Sequence, residues 1–103
     1  MQNQQKMLKQ LQQMQSRMAK LQEELDSTTV SGSAGGGAVT VTASGQQRIL
    51  SVVIEPEAME EGSELLGDMV TAAVNAALDE SRQLQARQMN ELTAGLGLPP
   101  GLI

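Results

Sequence analysis

The sequence predicts an α+β fold in the order helix, three-stranded antiparallel sheet, helix. Two kinds of pattern predict it. Met and Leu recur at heptad spacing over the first 26 residues and apolar residues at helical spacing beyond Ser63, while the glycine-rich middle alternates apolar and polar residues with a period of two.

The first helix is expected from Gln2 to about Asp26, a stretch rich in Gln, Lys, Met and Leu with no Gly or Pro to interrupt it. Met7, Leu11, Met14, Met18, Leu21 and Leu25 are spaced alternately by four and three, as in a coiled-coil seam. At 1.5 Å per residue this helix is about 37 Å long.

Residues 27–56 hold the sheet. A short first strand is expected near Thr28 to Ser31, followed by "AVTVTAS" and, after a turn around Gly45, Gln46 and Gln47, by "RILSVVIE". Counting by two puts Leu50, Val52 and Ile54 on one face of the third strand and Ile49 and Val53 on the other, so that strand is expected to be buried on both sides. Pro56 ends it. The second helix is expected over residues 63–93, with Leu65, Leu66, Met69, Val70, Ala73, Val74, Ala77 and Leu78 on its packed surface. Residues 1–94 form a single domain in this reading. Gly95, Gly97 and "LPPGLI" make residues 95–103 a flexible apolar tail that cannot continue the helix.

With 103 residues and no Phe, Tyr or Trp, the core lacks the side chains that each bury roughly 150 to 250 Å². A helix of about 37 Å also outreaches strands of five to eight residues, which span about 17 to 27 Å. A second copy of the chain is the economical cover for the rest of the seam.

Several chemistries are excluded by residue type. There is no Cys and no His, which removes disulfides, thiolate catalysis and the side chain most used for proton transfer near neutral pH. Ser residues lack a base partner, and Asp79 and Glu80 point to different helix faces. No enzyme activity and no cofactor are expected. The polar, Gln-rich start and the absence of any run near 20 apolar residues predict a cytoplasmic protein without a membrane span.

The glycine run "GSAGGG" lacks the Lys and the following helix of a phosphate-binding loop. It is read as a turn in which Gly32, Gly35, Gly36 and Gly37 supply positive φ angles. Glu57, Glu60, Glu61, Glu64 and Asp68 suit the opening of a helix, where acids oppose the positive end of the dipole, and no metal is assigned to them.

The net charge of −5 is unevenly spread. Residues 1–22 carry Lys6, Lys9, Arg17 and Lys20 with no acid, a charge of +4 that leaves −9 on the remainder. At about 100° per residue, Lys6, Lys9, Arg17 and Lys20 fall within an arc of about 80° beside the Met and Leu seam. Such a stripe could follow a phosphate backbone or could be a solvated face that keeps the helix soluble. No aromatic side chain is available to stack on unpaired bases, which weighs against single-stranded nucleic acid.

"VSGSAGGGAVTVTASGQQRILSVVIEPE", then "ELLGDMVTAAVNAALDESRQLQARQMNELT" and "GLGLPPGL", resembles the YbaB/EbfC family of bacterial nucleoid-associated proteins over essentially the whole chain. The most specific parts are the Gly run before an alternating strand, Val52, Ile54 and Pro56 in V-x-I-x-P, "AAVNAA" around Asn75, and the closing Pro-Gly-Leu. The resemblance implies an intertwined homodimer with a central sheet and long projecting helices. It also implies binding of double-stranded DNA and a part in nucleoid organisation and gene expression.

On that reading Lys6, Lys9, Arg17 and Lys20 contact phosphates, with Arg82, Arg87 and Arg48 as secondary contacts. Met14, Met18, Leu21, Val39, Val41, Ile49 and Val53 form the dimer interface. No membrane and no small-molecule substrate are expected as partners. The alternative is a protein-interaction scaffold whose Met-rich helical arms grip a helix of another protein, a role for which Met is adaptable enough.

Overall fold

The structure is a computed structural model, and it describes residues 2–95 and 97. Its elements are α1 (Gln2–Ser27), β1 (Thr29–Ala34), β2 (Val39–Ser44), β3 (Ile49–Ile54), a 3-10 helix (Pro56–Glu61) and α2 (Ser63–Gly95). The three strands form one antiparallel sheet in the order β1-β2-β3. The molecule is elongated, 71 × 21 × 16 Å.

The core is one sheet face closed by α2. Val39, Val41 and Ala43 of β2 pack against Ala73 and Ala77, with Val30, Ala34, Ile49, Ile54, Leu66, Met69, Val70 and Val74 around them. Small residues on α2 let the helix approach closely. Gly32 of β1 completes the fit: a Cβ there would stand 2.7 Å from the carbonyl carbon of Ala76 and 2.8 Å from the carbonyl oxygen of Ala73, against the amide nitrogen of Ala77. Gly32 is therefore a strand residue at a close approach and not a turn residue. Gly35, Gly36 and Gly37 carry the positive φ angles of the β1–β2 turn, as expected. β1 accordingly runs beyond the expected Thr28 to Ser31, because the helix and not side-chain bulk secures its second half.

β3 corrects the counting by two. Thr42 pairs with Ser51 and Ala43 with Ile49, so Leu50 is the extra residue of a β-bulge. The slip puts Ile49 on the same face as Val52 and Ile54, packed against the protomer's own core. β3 is also the most open strand and not one buried on both sides: α2 lies over β1 and β2, leaving Leu50, Val52 and Val53 exposed.

The β2–β3 turn is tied to both helices. Gly45 donates its N–H to the carbonyls of Leu25 (2.9 Å) and Thr28 (3.0 Å), which fastens the end of α1. Gln47 adopts φ 64°. Its N–H donates to the Ser81 hydroxyl at 3.0 Å, and that buried hydroxyl donates to the Ser44 carbonyl at 2.7 Å. These bonds hold a conformation that a non-glycine residue seldom adopts.

The seam of α1 is graded along its length. Leu25 is 2% exposed and Leu21 is buried, Met14 and Met18 are half-buried, and Leu11 and Met7 are exposed, Met7 to 62%. α1 is thus anchored at its sheet end and projects at the other. The two helices run antiparallel where they meet, Leu21 lying in a cleft with Gln88 and Leu92, and Arg17 beside Gly95. Of the expected tail, only Gly95 and Gly97 are among the described residues: Gly95 is the last helical residue, and Gly97 (φ 73°) turns to donate its N–H to Ala94 at 3.1 Å.

Candidate nucleic-acid interface

The cationic surface rests on one local fact: α1 leaves the body after its last two seam leucines, so its remaining faces meet solvent. Lys6, Lys9, Arg17 and Lys20 are all exposed on it. Lys6 and Lys9 lie on the projecting half. Lys20 lies where α2 draws alongside, in a shallow cleft with Glu24 and Glu91. Among the described residues none of the four forms an ion pair.

Arg17 stands apart from the lysines. On the helical wheel it borders the Met and Leu seam, and in the structure its Nη1 donates to the Gly95 carbonyl at 3.5 Å. A guanidinium at the C-terminal end of α2 meets the negative end of that helix's dipole. Arg17 therefore bridges the two helices, while Lys6 and Lys9 have no such engagement among the described residues.

The secondary cations are placed differently. Arg82 is paired with Asp79 across one turn of α2 at 2.9 Å, an exposed pair that offsets its charge locally. Arg87 is exposed on α2, and Arg48 is exposed at the start of β3. Among the described residues Arg87 and Arg48 form no ion pair. The 3-10 helix and the first turn of α2 carry Glu57, Glu60, Glu61 and Glu64, whereas residues 2–22 of α1 carry no acid. No group of three or more acidic side chains suited to a metal ion occurs among the described residues.

The residues expected at a dimer interface divide in two. Val39 and Val41 are 0% exposed beneath the protomer's own α2, Ile49 is turned onto the same core by the bulge, and Leu21 is buried between α1 and its surroundings. These four already pack within the protomer, Val39, Val41 and Ile49 on the sheet face under α2 and Leu21 at the sheet end of α1. Val53, 58% exposed, and the half-buried Met14 and Met18 keep surface to offer. Counting by two missed Leu50 and Val52 as exposed edge residues, and their apolar bulk next to Ser51 was the available signal.

The protein is thus a small α+β body with a projecting helix whose ionised residues over the first 22 positions of the chain are all cationic. The chain belongs to the YbaB/EbfC DNA-binding family, whose model matches residues 1–96. It is 48% identical over 98 residues to a nucleoid-associated protein of Pelotomaculum thermopropionicum, covering 94% of this chain and 93% of the relative. A nucleoid-associated protein of Desulforamulus reducens is 50% identical over the same share of each chain. One of Dictyoglomus turgidum is 41% identical over 96 residues, 92% of each. The crystal structure of an uncharacterized Helicobacter pylori protein shares the fold, with a TM-score of 0.67 and 20% identity over 80% of this chain and 96% of that one. No helix among the described residues is long and apolar enough to cross a membrane.

Proposed function

We propose that this protein is a nucleoid-associated protein that binds double-stranded DNA as a homodimer, chiefly through phosphates, and acts in nucleoid organisation and gene regulation. The observation that carries the proposal is the projecting half of α1, which presents Lys6 and Lys9 to solvent without an acid on the same stretch. Family membership and the names of the relatives support the choice of DNA as the polyanion. Lys20, Arg17, Arg87, Arg48 and Arg82 are further contacts in this reading, with Arg17 and Arg82 weakened by their engagements within the protomer. The cytoplasmic nucleoid is the corresponding location.

Contacts to phosphate carry no sequence information, so two unrelated duplexes of equal length are expected to bind alike. With about three free lysines per arm, the slope of log K against log salt is expected near −3 if one arm engages and near −5 if both do. Titration of both duplexes at several salt concentrations tests this. A flat salt dependence would remove phosphate neutralisation as the mode of binding.

The dimer is proposed at the free edge of β3. Its unpaired backbone groups and the exposed Leu50, Val52 and Val53 form an edge that a soluble monomer would leave as a template for aggregation. Pairing with a second copy satisfies it and sets two α1 arms on one particle. Sedimentation at micromolar concentration is expected to give the mass of two chains, and a one-chain mass for Val53→Asp. A one-chain mass for the unaltered protein would exclude the dimer.

The exposed Met7 and Leu11 support the second reading, a scaffold that grips a partner helix. A stoichiometric protein partner that resists nuclease treatment would favour it over DNA.

A further inference from the structure

The most acidic stretch of the chain lies at the end of the body remote from the α1 arm. Residues 55–68 carry Glu55, Glu57, Glu60, Glu61, Glu64 and Asp68 and no basic residue. All six are exposed, and among the described residues none forms an ion pair. Acids at a helix start oppose its dipole, which accounts for Glu57 and Glu64. It does not account for the apolar side chains left open among them, Met59 at 61% and Leu65 at 46% exposed. A groove of about 520 Å³ opens here between the 3-10 helix, the start of α2 and the turn at 35–37, walled by Glu55, Glu57 and Glu61 and by Leu65 and Met69. A side-chain carbon at Gly36 or Gly37 would meet no atom within 4 Å, so the turn side of the groove is open.

We infer that this groove receives the α1 arm of a second copy of the chain, with Lys6 and Lys9 against its carboxylates and Met7 and Leu11 against Leu65 and Met69. Charge complementarity selects that occupant: residues 1–22 hold +4 without an acid, and residues 55–68 hold −6 without a base. The arm also sets its cations beside open apolar side chains, Met7 at 62% and Leu11 at 52% exposed, as the groove does its acids. Thioethers on both sides adapt to one another's outline. The protomer's own arm cannot serve. α2 begins at the groove and ends beside Arg17, which sets about 40 Å of helix between them, and Lys6 and Lys9 lie further out along a molecule 71 Å long. The contact therefore joins unlike surfaces of two copies, and each copy added leaves an arm or a groove free for the next. While it lasts it withdraws Lys6 and Lys9 from other anions. It rests neither on DNA as the ligand nor on the β3 edge.

Carbodiimide coupling, which joins an amine to a carboxylate in contact with it, tests the inference on a mixture of isotope-labelled and unlabelled full chain. At low salt, peptides of mixed label are expected to join Lys6 or Lys9 to Glu55, Glu57 or Glu61. They should fall about fivefold or more in about 1 M salt, where the Debye length is about 3 Å. Sedimentation at low salt and well above micromolar protein should show particles heavier than two chains, growing with concentration. Glu57→Lys with Glu61→Lys, and separately Lys6→Glu with Lys9→Glu, should each stop that growth. An equal mixture of the two variants should recover a complex, because one supplies an intact arm and the other an intact groove, which a variant that merely fails to fold could not do. Undiminished growth in either variant would overturn the inference, and so would linked peptides of a single label only. Loss of the linked peptides in Val53→Asp would overturn it too, since the contact would then belong to the β3 edge. No DNA enters the experiment, so either result leaves DNA binding to its own test.

Discussion

Gly32→Ala is expected to lower stability by about 3 kcal/mol or more, visible as a fall in Tm of more than about 10 °C. The added methyl would stand within 2.8 Å of the α2 backbone at Ala73 and Ala76, atoms that cannot swing aside as the end of a side chain can. Either α2 lifts from β1 or the strand shifts, and both open the contact that buries Val39, Val41, Ala73 and Ala77. The neighbouring Ser33→Ala, on the exposed face, should change Tm by little. Equal melting of the two variants would show that the helix does not rest on the strand at Gly32.

Leu25→Ala is expected to cost about 2 to 5 kcal/mol, the usual range for emptying a fully buried leucine site. Leu25 is the last seam residue of α1 and lies under Gly45, whose N–H bonds its carbonyl. Loss of the side chain removes the packing that fixes α1 to the body while leaving that bond in place. DNA affinity should weaken as well, because a loosened arm presents its lysines with less order. Leu8→Ala is the matched control: the same residue type on the same helix, exposed on the projecting half, and expected to be near neutral. A similar loss of stability from both would contradict the graded anchoring of α1.

These two sites mark how far the sequence is legible. The seam of α1 could be read because its spacing matches a helix turn, and β2 because Val39, Val41 and Ala43 alternate with Thr40, Thr42 and Ser44. Gly32 could not be read as a strand residue. It has no side chain to declare a face, and its role depends on helix residues some 40 positions away that only the fold brings near. The bulge at Leu50 was hidden for a related reason, since one extra residue reverses every inference made by counting from it.

The interface residues show a further limit. Apolar alternation says that Val39 and Val41 are covered but does not say by what, and the protomer's own α2 reaches them first. For the cations, the wheel placed four residues in one stripe. It could not show that Arg17, at the border with the seam, spends its donor on the end of α2. The charge asymmetry of the chain was fully legible, because it needs only the order of the residues.

The central claim is that the α1 lysines make the DNA contact. Fluorescence anisotropy of a labelled duplex, titrated with the unaltered protein and with Lys6→Gln, Lys9→Gln, Lys20→Gln combined, tests it most directly. The account predicts saturable binding by the unaltered protein, in the range of about 10⁻⁴ to 10⁻⁶ M. The variant should lose at least about a hundredfold in affinity at the same salt while keeping its Tm and its mass. Undiminished binding by the folded variant would contradict the account and move the interface away from α1.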